Sequence, residues 1–272
     1  MKKVMQGSHL HVCIEEDGFH PIQVEVSDSI EFDLEVAENI NASLFLTYSG
    51  VCTKGNVRIH VGKYAKVSIL FWNKLSQSFI CKQDICMKEG AQATIAYGEL
   101  EDNEVSYDIQ AVLSEQGADL SLFSATVSAS KKHFEVSCVH EVAHTSSNME
   151  HYAVIKDDGD YFMKATGEVK KGAYESSTHQ VTRVLTMSEK QKSEVIPLLL
   201  IDENDVKASH ATSLGQPDEN QLYYLQTRGL SRKQALALLT VGYIMPIKDV
   251  IQQEDLQMKL QEEIERKVGL YA

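Results

Sequence analysis

The sequence predicts a mostly β chain, with a stacked β-solenoid over residues 1–214 and a small α-helical domain over residues 215–272. Three observations predict it. Short stretches alternate between apolar and polar residues through most of the first two hundred positions. Gly-Ala pairs return at Gly90, Gly117 and Gly172, each ahead of a strand-like run, with a related turn at Gly62–Ala65. After residue 217 the period changes, and helical spacing replaces alternation.

Alternation is plainest in Lys66–Phe71, Ala93–Tyr97 and Asp119–Ser124. Prolines would interrupt sheet ladders, and the whole chain has only four. The turn residues are spaced by 28 (Gly62 to Gly90), 27 (Gly90 to Gly117) and 55 (Gly117 to Gly172), the last being two steps of the same size. His144, followed by Thr145 and Ser146, stands at the missing midpoint. A repeat of this length built from strands and turns suggests coils stacked on one another. In such a coil the glycine supplies the positive φ of a tight corner, and the alanine is small enough to stack on its counterpart. A sandwich with regular hairpins satisfies the same spacing and stays open at this point. Asp157–Asp160 (DDGD) has the composition of a loop between strands.

Pro197–Ile201 reads as a short apolar strand, followed by a polar turn that holds His210. A helix is predicted over Asp218–Arg228, with Pro217 near its start and Gly229 past its end. Ser231 caps a second helix over Arg232–Val241, which Gly242 closes. Pro246 interrupts, and a third helix near Asp249–Val268 carries an apolar stripe of Ile251, Leu256, Leu260 and Ile264.

Composition narrows the function classes. The formal net charge is −13, so the basic footprint that nucleic acid or an anionic membrane requires is missing. There is no run of eighteen apolar residues to span a bilayer, and no apolar stretch follows Lys2 and Lys3 as in a signal peptide. Five cysteines, odd in number and without a CxxC pair, are expected to be free thiols in a cytoplasmic protein.

The segment Ile196–Pro246 carries most of the functional information. Pro197, Leu199, Ile201, Asp205-Val206, Ala208-Ser209-His210, Gly215-Gln216, Asp218, Leu222, Tyr224-Leu225, Arg228-Gly229, Ala235 and Gly242-Tyr243 together resemble the C-terminal signature of the SufB/SufD family. These are scaffold proteins of the Suf iron–sulfur cluster assembly system. The resemblance implies a right-handed parallel β-helix. It implies a scaffold rather than an enzyme, one that docks the ABC-type ATPase SufC and pairs with a SufB-like subunit or with itself as a homodimer. It also implies that an iron–sulfur cluster is held transiently at a subunit interface and that no cofactor is bound stably. Two departures are SufD-like: Ala211 follows the histidine where SufB-like members have an acid, and Thr182 stands where they have a cysteine.

The resemblance makes His210 the candidate cluster or metal ligand, and imidazole suits iron at neutral pH. Tyr223, Tyr224, Leu225 and Arg228 are the candidate SufC-binding residues, since aromatics and arginine are common interface anchors. The stretch His133, Cys138, His140, His144, His151 is tempting for a metal, but residues two apart on a strand lie nearly 7 Å apart. These side chains are therefore expected to be polar rungs of a solvated face. Cys81 and Cys86 should face opposite sides of one strand. Gly55–Tyr64 lacks the spacing and the hydroxyl of a phosphate loop, so no ATP site is expected. The rival function is a carbohydrate-active solenoid, for which Asp157, Asp158 and Asp160 would have to supply paired carboxylates. The helices are expected to cap the end of the solenoid while also offering a partner surface.

Overall fold

The computed structural model describes residues 3–6, 8–26, 28–250 and 254–268. Seventeen strands alternate between two parallel sheets, two strands to a coil. One sheet holds β1 (Lys3–Gln6), β3 (Gly18–Val26), β5 (Asn41–Gly50), β7 (Lys66–Asn73), β9 (Gln92–Glu99), β11 (Asp119–Ser128), β13 (Ser146–Ile155), β15 (Ser176–Thr186) and β17 (Val206–Gly215). The other holds β2 (His9–Ile14), β4 (Ser29–Val36), β6 (Lys54–Val61), β8 (Phe79–Met87), β10 (Val105–Leu113), β12 (Lys131–His140), β14 (Asp160–Val169) and β16 (Lys192–Ile201). Every strand ladder is parallel, which excludes the sandwich of hairpins and gives the expected β-solenoid. Alternate residues fill the space between the sheets, forming one apolar core from Leu10 to Val184. Rings stack along it: Tyr48 on Phe71 at 5.8 Å and Phe71 on Tyr97 at 5.5 Å.

The corners explain the repeat and correct part of it. Asn39, Tyr64, Gly90, Gly117, His144 and Glu175 all have positive φ, between 53° and 77°. The amides of Asn39, Tyr64, Gly90 and His144 donate to carbonyls one coil on, those of Lys63, Glu89, Gln116 and Tyr174. His144 does stand in for a glycine, as the spacing predicted. Gly62 does not supply the corner conformation of its turn; Tyr64 does. Likewise Gly172, although its φ is +93°, precedes the corner that Glu175 makes. The alanines after the corners, Ala65, Ala91 and Ala118, are buried as stacking requires.

The C-terminal helices are α1 (Glu219–Thr227), α2 (Arg232–Ile244), a 3-10 segment (Met245–Val250) and α3 (Glu254–Val268). Asp218 and Ser231 cap α1 and α2, and Ser231 with Gln234 forms a capping box. Gly242 lies inside α2 rather than ending it; the helix runs on to Ile244 and tightens into the 3-10 segment at Pro246. Of the predicted stripe on α3, Leu260 and Ile264 are buried, whereas Ile251 and the side chain of Leu256 lie outside the described residues.

The helices do not cap the end of the solenoid. They lie against the outer face of the larger sheet, where Leu70, Trp72, Ala96, Ala125, Val127 and Val154 form a second apolar cluster with Val241, Ile244, Ile247, Leu260 and Ile264. That sheet is apolar on both faces at these strands, so its outer face also needs a cover, which the helices supply. Ion pairs of Lys74 with Glu263 and of Lys267 with Asp102 hold α3 in place. No helix among the described residues is long and apolar enough to cross a membrane.

Candidate functional site

With the helices on its flank, the last coil has nothing stacked on it. The core-facing positions of β15 are Ser176, Thr178, Gln180, Thr182 and Val184, all buried. Their register partners on β17 are Val206, Ala208, His210, Thr212 and Leu214. Each continues an interior column by one rung, yet none is buried. On β16 the same parity selects Ser193, Val195, Pro197, Leu199 and Ile201, opposite buried Tyr161, Met163, Ala165, Gly167 and Val169. The end of the solenoid is thus a mixed apolar and polar floor, bounded by two strands with free edges.

His210 sits in the middle of a strand, not in a turn. The chain reads as a turn there because β17 is rich in small and polar residues (Lys207, Ser209, Thr212, Ser213), but backbone pairing to β15 supplies a ladder at every residue from Val206 to Gly215. Its imidazole is exposed and continues the column of Met149 and Gln180. The Gln180 amide below donates to the Leu198 carbonyl across the core at 2.9 Å.

Polar side chains run inward from this floor. His151 is in register with Thr182 and Ser124, and its Nδ1 shares a 2.9 Å hydrogen bond with the Ser124 hydroxyl. His140 bonds to the Thr145 hydroxyl at 2.7 Å and to the Ser147 hydroxyl at 2.8 Å, and Ser147 donates to Thr178. The expected solvated face is therefore incorrect for most of these residues. Cys138, His140 and His151 point into the core and are buried. His133 stacks outside on Phe162 at 4.4 Å, and His144 forms a corner. The signal that marks the inward side is alternation: Phe134, Val136 and Cys138 share the parity of His140, and Met149, Ala153 and Ile155 share that of His151. Among the described residues no three His, Cys, Asp or Glu side chains gather to hold a metal ion.

Burial holds His140 down to a pKa of about 4 and His151 down to about 3. Both are therefore neutral in the folded chain at neutral pH. The unfolded chain protonates them below about 6.5, so stability falls as pH drops from there and levels off only below the folded values. Between pH 7 and 5 each should contribute a loss of about 2 kcal/mol. Urea unfolding at the two pH values checks this. His140→Gln should lessen the drop, and an unchanged midpoint would refute it.

Thr182 is buried on β15 and in register with Thr212, one rung inside the floor. Tyr223 and Tyr224 are 70% and 56% exposed, and the Arg228 guanidinium lies 5.2 Å from the Tyr224 ring. Leu225 is half-buried beside them. Arg228, just past α1, also donates to the Tyr224 hydroxyl at 3.2 Å. The cysteines are free, with Cys52, Cys81 and Cys138 buried and Cys13 exposed; Cys81 faces the core and Cys86 the outside, as predicted. Asp157 and Asp158 lie in the turn between β13 and β14, with Asp157 at φ +49°, and Asp160 begins β14.

Residues 23–243 match the family described as SUF system FeS cluster assembly, SufBD core domain. Among curated proteins, the iron–sulfur cluster assembly protein SufD of Bacillus subtilis is 38% identical over 117 residues, 43% of this chain and 27% of that protein. The SufB protein of the same organism is 20% identical over 245 residues, 88% of this chain and 52% of its own length. A SufBD family protein of Mycobacterium leprae is 30% identical over 132 residues, 48% of this chain and 15% of that protein. The chain thus spans about half or less of the curated relatives it matches.

Proposed function

Since the chain belongs to the SufBD family of iron–sulfur cluster assembly proteins, we propose that it serves as a SufD-like scaffold whose uncovered last coil is its pairing surface. The observation that carries this is the unfinished floor. Ten core-facing positions of β16 and β17 are left unburied, and an exposed imidazole stands among them. A SufB-like chain presenting its own last coil would bury these columns and extend the sheets. His210 would then face the interface as a nitrogen donor for iron of a nascent cluster, with the partner supplying the other ligands. On this reading the protein is cytoplasmic and not an enzyme, and the cluster is cargo. Ala211 and Thr182 leave this chain without the acid and thiol that independent cluster building would use.

The Tyr223, Tyr224, Leu225 and Arg228 patch is the proposed dock for a SufC-like ATPase. Because α2 and α3 are packed firmly on the flank of the larger sheet, movement of bound SufC would be passed to the coils. Self-association in place of a SufB-like partner is the second reading, favoured by the same open floor, which two copies could share.

The test is co-expression with SufB-like and SufC-like chains. A complex surviving size exclusion is expected. His210→Ala should leave that complex and the fold intact while lowering cluster formation on it at least tenfold. Failure of any complex to form, or normal cluster yield with His210→Ala, counts against the proposal.

A further inference from the structure

Arg183 stands on the outer side of β15, one rung in from the free edge of the sheet. Its register neighbours are Tyr152 on β13 and Ser213 on β17. With Val181, Ala211, Thr212, Ser213 and Tyr243 of α2 it lines a pocket of ≈ 250 Å³. The Tyr152 and Tyr243 rings meet edge to face at 6.5 Å beside it. The other described arginines are engaged. Arg58, Arg232 and Arg266 pair with carboxylates, and Arg228 donates to the Tyr224 hydroxyl. Arg183 has no ion pair or hydrogen bond among the described residues, although the chain carries a net charge of −13. The Tyr152 hydroxyl is taken up by Glu150 at 2.8 Å, so the guanidinium, with the Thr212 and Ser213 side chains that line the pocket, is what remains to receive a planar oxyanion.

We propose that this pocket receives the carboxylate of a Glu or Asp on a different protein chain docked along the β17 edge. The inference rests on the pairing surface proposed above and deepens it. A strand added beside β17 lies about 4.8 Å from it, so its outward side chains reach the Ser213–Arg183 rung. A second copy pairing β17 to β17 could not satisfy the pocket from that strand. The outward residues of β17 are Lys207, Ser209, Ala211 and Ser213, without a carboxylate. The pocket therefore selects a heterologous partner over self-association.

The experiment measures affinity for the SufB-like chain of the same organism, at two salt concentrations, for wild type, Arg183→Lys, Arg183→Gln and Ala208→Arg. Ala208 is an exposed floor residue, so Ala208→Arg blocks the open end without opening the core. Ala208→Arg should abolish pairing. Arg183→Gln should weaken it roughly thirtyfold and flatten its salt dependence, with Arg183→Lys in between. Circular dichroism checks that each variant is folded. If Ala208→Arg abolishes pairing while Arg183→Gln binds within about threefold of wild type, the carboxylate receptor is wrong and the pairing surface stands. If Ala208→Arg pairs normally, the pairing surface itself is wrong and the Arg183 assignment falls with it. A stable homodimer insensitive to Arg183→Gln also overturns it.

Discussion

Lys132→Met should cost about 3–5 kcal/mol of stability, the largest loss expected from any single change that leaves the apolar core intact. Lys132 and Glu99 face each other inside the coils with side chains 0% and 1% exposed. The ammonium lies 3.4 Å from the Glu99 carboxylate, 2.8 Å from the Glu101 carbonyl and 3.3 Å from the Asn103 amide oxygen. Asn73 and Tyr107 donate to the two carboxylate oxygens at 2.8 and 2.9 Å. Burial pulls the Lys132 pKa down, and Glu99 beside it pushes back. Removing the cation leaves a carboxylate in the core with only neutral donors, which is the costly half of breaking a buried pair. Lys132→Met combined with Glu99→Gln should recover most of the loss, since both charges are then gone. Urea midpoints of the two single variants and the double decide it. A double variant no more stable than Lys132→Met would mean that the network acts through shape, not charge. The pair fixes the 99–103 connection, whose Glu101 and Asp102 in turn hold Lys267 of α3.

Trp72→Ala should cost a similar amount, about 3–5 kcal/mol, but through a different part of the molecule. The indole is 2% exposed and shares the apolar cluster between sheet and helices. It lies over Gly98, its register partner, where a Cβ would come within 2.2 Å of the ring. Only glycine there leaves room for the ring to lie flat beneath the 3-10 segment and α3. Truncation opens a cavity at that joint, so residues 219–268 should become protease-sensitive before the coils do, and thermal unfolding should split into two steps. A single cooperative transition with less than about 1 kcal/mol lost would show that the helices are held elsewhere.

These two sites differ in how far the sequence exposed them. Trp72 lies just past an alternating run that predicts its strand, yet alternation does not say that the outward face is covered as well. Lys132 and Glu99 are far apart in the chain and read as ordinary surface charges; only the stacking of one coil on the next brings them together. His140 and His151 differ: each shares its parity with apolar residues, Phe134 and Val136 or Met149 and Ala153, so their inward direction was present in the sequence, while the hydroxyl partners from neighbouring coils were not.

Coil length, the corners at Gly90, Gly117 and His144, and the starts of α1 and α2 could be read directly from the residues, because each depends on local chemistry. A left-handed corner recurs at a near-constant step, an apolar residue returns every second position, and Asp218 and Ser231 satisfy free amides at helix starts. The family signature in Ile196–Pro246 was legible for the same reason, being continuous in the chain. The flank position of the helices, the strand conformation around His210 and the exposure of the last coil depended on long-range burial. The helices cover the sheet face with Leu70, Trp72 and Val154, and the floor that includes His210 is left open.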